Sequence, residues 1–131
     1  MKHILVVDDE QCIADTLAAI LNHAGYRASP AYDAQMALSL CETSPPDLVI
    51  SDVVMPGING IEMAIQIKQR YPSCQILLFS GLAATADLLE KTRCQGYHFE
   101  LLAKPVHPAD LLEKVAAGRP PWRLAHPAAI A

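Results

Sequence analysis

Long apolar runs, paired metal-binding cysteines, surplus positive charge and aromatic side chains are all scarce or missing in this 131-residue chain. Although 52% of its residues are hydrophobic, no uninterrupted run approaches the roughly 18 residues of a membrane-spanning helix. Met1-Lys2-His3 leads straight into a strand-like segment with no signal-peptide pattern, so the reading is a soluble, cytoplasmic protein with no membrane partner. The 4 cysteines, Cys12, Cys41, Cys74 and Cys94, form no CxxC pair and have no histidine at zinc-ligand spacing. They are expected to be reduced, mostly buried thiols. The formal net charge is −4, and leaving out Arg119 and Arg123 makes the remainder more acidic still. Direct nucleic-acid binding, which needs a basic face, is disfavoured. A glycine-rich phosphate turn is missing too. Val7-Asp8-Asp9-Glu10 presents acids where a dinucleotide pyrophosphate would need backbone donors.

What is present is a rhythm of short apolar runs. Ile4–Val7, Leu48–Ile50 and Ile76–Phe79 are unbroken by polar residues, as expected of strands covered by helices on both faces. Tyr26–Ala31 contains Pro30, which cannot donate a ladder hydrogen bond and so belongs on a sheet edge. Tyr97–Ala103 is of mixed polarity and suits the opposite edge. This distribution predicts an α/β fold: a flavodoxin-like, doubly wound, five-stranded parallel sheet of order 2-1-3-4-5, with right-handed crossovers placing helices on both faces.

Between the strands the pattern becomes helical. Ile13, Leu17, Ile20, Leu21 and Ala24 make one stripe, closed by Gly25. Asp33 is an N-cap candidate for a helix to about Thr43, ended by Ser44-Pro45-Pro46. A third helix is expected from about Asn59 to Tyr71 and a fourth, sparsely apolar, from about Thr85 to Gln95. A fifth opens at Pro108 and closes at Gly118. One domain therefore covers residues 1–118, and residues 119–131, with Pro120, Pro121 and Pro127, are expected to form a loose tail.

The strand ends carry the chemistry. The first run enters Asp8-Asp9, the third Asp52, the fourth Ser80 and the fifth Lys104-Pro105. In a parallel sheet all strand carboxyl ends share one edge, where open α/β sheets bind ligands. Asp8, Asp9 and Asp52 can there offer several carboxylate oxygens to one hard cation, and magnesium is the expected ion. For a single aspartate the duller reading is a favourable charge at the start of a helix. That reading does not account for all of these residues together.

These residues resemble the receiver domain of bacterial two-component response regulators. The matching segments are Ile-Leu-Val-Val-Asp-Asp-Glu (4–10), Asp-Val-Val-Met-Pro-Gly-Ile-Asn-Gly (52–60), Ser-Gly (80–81) and Lys-Pro (104–105). Each is weak alone, but their order and spacing are specific. The resemblance implies that Asp52 is the phospho-acceptor, and that Asp8, Asp9, Asp52 and the Val54 backbone carbonyl surround Mg2+. It implies Ser80 as the switch hydroxyl and Lys104 as the amine that neutralises the phosphoryl group. The implied partners are a sensor histidine kinase or histidine phosphotransfer protein, as phosphohistidine donor, and a downstream protein target. The implied role is a phosphorelay or two-component signalling switch rather than an enzyme with an external substrate. Its output face would run from about Thr85 to Ala117: the fourth expected helix, the last strand and the fifth expected helix.

The match departs from the family at one place. Receivers usually carry Tyr or Phe three residues before the lysine, and here that position is Leu101; Phe99, on the same strand face by alternation, is a candidate for the role only if a bulge brings it there. No output domain follows in this sequence, and Met1 directly before the first strand favours a stand-alone receiver over a fragment. Two other classes compete. One is a receiver fold kept for constitutive binding. The other is a phosphatase of the haloacid dehalogenase type, which would place a second acid at Glu10, here without the usual Gly-Thr after it.

Overall fold

The computed structural model describes residues 3–53, 57, 59–80, 90, 93–97, 99–103 and 107–117. Val54, Gly81, Lys104-Pro105, most of the fourth expected helix and the tail from Gly118 lie outside these residues. Five strands form one parallel sheet: β1 (His3–Val7), β2 (Arg27–Ala31), β3 (Leu48–Asp52), β4 (Gln75–Ser80) and β5 (Glu100–Ala103). Their order is β2-β1-β3-β4-β5, the expected doubly wound arrangement.

The central strands are buried because both faces are covered. On one face, α2 (Ala34–Thr43) and α3 (Gly60–Arg70) pack on Leu5, Val7, Val49 and Leu78. On the other, α1 (Gln11–His23) and the helix Pro108–Ala117 pack on Ile4, Val6, Ile50 and Phe79. Each strand thus sends alternate side chains into two separate apolar clusters, which is why its sequence reads as an unbroken run. Full burial of one such side chain contributes about 1.5–3 kcal/mol.

The helix ends follow their local chemistry. The Asp33 carboxylate accepts from the Met36 N–H at 2.7 Å, as an N-cap does, and Asn59, expected as the first residue of the third helix, is instead its N-cap, its side-chain oxygen accepting from the Glu62 N–H at 2.9 Å. α1 ends in a Schellman turn. The Gly25 N–H donates to the Asn22 carbonyl and the Tyr26 N–H to the Leu21 carbonyl, both at 3.1 Å, with Gly25 at φ +100°.

The stripe expected on α1 needs correction. Its buried residues are Ala14, Leu17, Ala18 and Leu21, while Ile13 and Ile20 flank the core and Ala24 is exposed. Small alanines face the sheet because they let the helix approach closely. Both edge strands are shorter than expected, since Tyr26 precedes β2, and Tyr97 and Phe99 precede β5. The thiols are a second correction. Cys41 and Cys74 are buried, but Cys12 and Cys94 are exposed; all four are free.

The β2 edge is occupied by a side chain. Asn22 of α1 donates through Nδ2 to the Ala28 carbonyl and accepts through Oδ1 from the Ala28 N–H, both at 2.9 Å. Two residues on stands Pro30, paired in register with Val6, which has no N–H to offer.

Candidate functional site

β1 and β3 are adjacent and parallel, with Val7 beside Ser51, so their carboxyl ends deliver Asp8, Asp9 and Asp52 to one place. One carboxylate oxygen from each of these three residues lies within 4.8 Å of the others. Asp8 is fully buried, Asp52 is 6% exposed and Asp9 is exposed. The cluster is therefore a sunken pair of acids with a third at the rim.

The backbone holds Asp8 firmly. Its N–H donates to the Ala31 carbonyl at 3.0 Å, which extends the β1–β2 ladder by one step. Its Oδ1 accepts from the Glu10 N–H at 2.9 Å, at the mouth of α1. A buried carboxylate needs such compensation. Beside it the Tyr32 hydroxyl donates to Asp15 Oδ1 at 2.7 Å, tying the loop after β2 to α1. Glu10 itself is exposed at the α1 N-cap, and its side chain makes no capping hydrogen bond.

Asp52 closes β3 in register with Phe79, and Ser80 closes β4 in register with Ala103. Ser80 is 7% exposed, so a hydroxyl sits at the carboxyl edge, one strand over from the acids. The positions of Val54 and Lys104 fall outside the described residues. Leaving β3, the chain takes Gly57 at φ +77°, a left-handed conformation that favours glycine. Gly60, by contrast, is required for closeness. A Cβ there would overlap the Asp52 carbonyl oxygen and stand 3.0 Å from its carbonyl carbon.

Near the last strand, Phe99 is buried in the cluster beneath α3, and its ring stacks on Tyr97 with centroids 6.1 Å apart. The Tyr97 hydroxyl accepts from Gln69 Nε2 at 3.1 Å. Leu101, the position aligned with the usual receiver aromatic, is 37% exposed. One feature escaped the sequence reading: the fully buried Ser51 donates its hydroxyl to the Asp52 carbonyl at 2.9 Å. Its only signal was a hydroxyl directly before the aspartate in an apolar run.

Chemically, three close carboxylates repel one another until a cation shares them, and magnesium suits such an oxygen set. Among the described residues no helix is long and apolar enough to cross a membrane.

Comparison with known proteins converges on one family. The response regulator receiver domain matches residues 4–116. The alkaline phosphatase synthesis transcriptional regulatory protein PhoP of Bacillus subtilis is 36% identical over 119 residues, covering 88% of this chain and 48% of the relative. The phosphate regulon transcriptional regulatory protein PhoB of Pseudomonas aeruginosa is 32% identical, covering 88% of this chain and 51% of the relative. The chain thus spans about half the length of these curated relatives. Among solved structures, the Vibrio cholerae chemotaxis protein CheY4 superposes with a TM-score of 0.80 at 27% identity, covering 89% of this chain and 98% of that one.

Proposed function

Because the chain belongs to the response regulator receiver domain family, we propose that it is a switch in which Asp52 accepts a phosphoryl group from a partner phosphohistidine. The observation that carries this reading is the convergence of Asp8, Asp9 and Asp52 within 4.8 Å at the carboxyl ends of adjacent strands. In the transfer, a bond forms between an Asp52 carboxylate oxygen and phosphorus as the bond from phosphorus to the donor imidazole nitrogen breaks. The electron pair stays on the imidazole. Water later cleaves the acyl phosphate and restores the carboxylate.

Asp8, Asp9 and Asp52, with the Val54 carbonyl, would hold Mg2+, which supplies positive charge to the phosphoryl oxygens when bound. Lys104 supplies the second cation. The Ser80 hydroxyl, at the end of the strand next to that of Asp52, would follow the phosphoryl group and carry the change toward residues 82–103. Asp52 provides the nucleophile, and the buried Asp8 fixes the depth at which charge is gathered. The donor is a sensor histidine kinase or histidine phosphotransfer protein, and the output is altered binding to a downstream protein through the face from about residue 85 to residue 117. We further propose that residues 1–118 form the receiver domain and residues 119–131 a flexible tail.

The test is intact-protein mass after incubation with acetyl phosphate and magnesium. The wild type is expected to gain one phosphoryl mass and Asp52→Ala none. A wild type that gains nothing would leave a constitutive binding module, and steady turnover of an external phosphomonoester would point instead to a phosphatase.

A further inference from the structure

Ser51 is fully buried near the end of the central strand β3, in a position where an apolar side chain would pack as its neighbours do. Its hydroxyl instead turns along its own chain and donates to the Asp52 carbonyl at 2.9 Å. Gly60 closes on the same group from α3, so tightly that a Cβ would overlap the carbonyl oxygen and lie 3.0 Å from Val53 Cα. The Val53 N–H, on the other side of that peptide, donates to the Phe79 carbonyl at 3.2 Å, and the Gly60 N–H donates to the Val53 carbonyl at 2.8 Å.

The peptide unit between Asp52 and Val53 is thus gripped at its oxygen by Ser51, at its nitrogen by β4, and across its face by Gly60. Rotation of that unit would tilt the Asp52 Cα–Cβ bond and carry the carboxylate away from Asp8 and Asp9. We infer that Ser51 and Gly60 are positioning residues that set the aim of the Asp52 carboxylate. The inference rests on Asp52 being the phosphoryl acceptor. Its logic is that of any group-transfer site, where misplacing a reacting atom by about 1 Å costs up to about 100-fold in rate.

Two variants of matched shape separate aim from packing. Ser51→Thr keeps the hydroxyl and Ser51→Val replaces it with a methyl group, so both add the same bulk. The readout is the rate of phosphorylation by acetyl phosphate at saturating magnesium, corrected for the folded fraction measured by circular dichroism. Ser51→Val is expected to react about 10-fold more slowly than Ser51→Thr. Ser51→Ala, which adds no volume, is expected to be slow like Ser51→Val, and it carries the test if the larger side chains do not fold. Gly60→Ala is expected to lose about 100-fold in the same assay.

Equal rates for Ser51→Ala and the wild type, or for Ser51→Val and Ser51→Thr, would overturn the role of Ser51. A folded Gly60→Ala that reacts at the wild-type rate would overturn that of Gly60. A wild type that accepts no phosphoryl group at all overturns the acceptor reading and this inference with it, an outcome distinct from variants that simply match an active wild type.

Discussion

His3 and Asp47 hold each other by two reciprocal hydrogen bonds: the His3 N–H donates to Asp47 Oδ2 and the Asp47 N–H donates to the His3 carbonyl, both at 2.8 Å. The Asp47 carbonyl in turn accepts from the Gln75 N–H at 3.0 Å, so one residue ties the amino ends of β1, β3 and β4 together. This tie lies at the edge of the sheet opposite the acidic cluster. Asp47→Ala is therefore expected to lower stability by about 1 kcal/mol in urea denaturation. Magnesium affinity should stay at the wild-type level, and a matching loss of affinity would show that the two edges are coupled.

Asp9 is the exposed member of the cluster, so Asp9→Asn removes a charge without opening the core. Magnesium titration by calorimetry should show weaker binding, and acetyl phosphate should no longer modify the protein. The metal-free variant is expected to be at least as stable as the wild type, because like charges at the cluster repel. Unchanged magnesium affinity would remove Asp9 from the ligand set.

Burial pushes the Cys74 thiol up from its ordinary 9.0 to about 12, with the neighbouring Cys41 adding to the shift. Between those two values the native state holds the proton more tightly than the unfolded chain does. The stabilisation is complete below about pH 9 and is lost as pH rises toward about 12. In native protein near neutral pH, a maleimide followed by mass spectrometry should label the exposed Cys12 and Cys94 first. Cys41 and Cys74 should react only after unfolding. Early labelling of Cys74 would contradict its burial.

Hydrogen exchange with and without beryllofluoride, a phosphoryl mimic, tests the proposed output route. Protection is expected to change not only around Asp8 and Asp52 but also across residues 82–103. A bound group shifts an equilibrium only through better contacts in one state, and Ser80 is the group proposed to make them. Changes confined to the acidic loops would leave a passive acceptor with no output.

Sheet order and burial were legible because covered parallel strands advertise themselves. Ile4–Val7, Leu48–Ile50 and Ile76–Phe79 could sit only in the middle, and Pro30 only at an edge. The acids were legible as well, since parallel topology sends every strand's carboxyl end the same way. Asp33 announced itself as a cap through local chemistry, whereas Asn59 was read as the start of its helix rather than as the cap before it. What stayed hidden depends on register and closeness. The reach of Asp47 to His3 spans 44 residues, and the turn of the Ser51 hydroxyl onto its own strand leaves no pattern. The inner face of α1 was misjudged because large apolar residues drew attention away from Ala14 and Ala18, which the tight helix-to-sheet contact selects.

The Asn22 amide seated on Ala28, followed by the missing N–H of Pro30, also bears on how copies of this chain can meet. A fibril grows by adding strands at both margins of a sheet, each new copy templated by the last. With the β2 margin sealed, a copy joined through its opposite margin presents no second template. Ladder growth of folded copies through the β2 margin is thereby disfavoured.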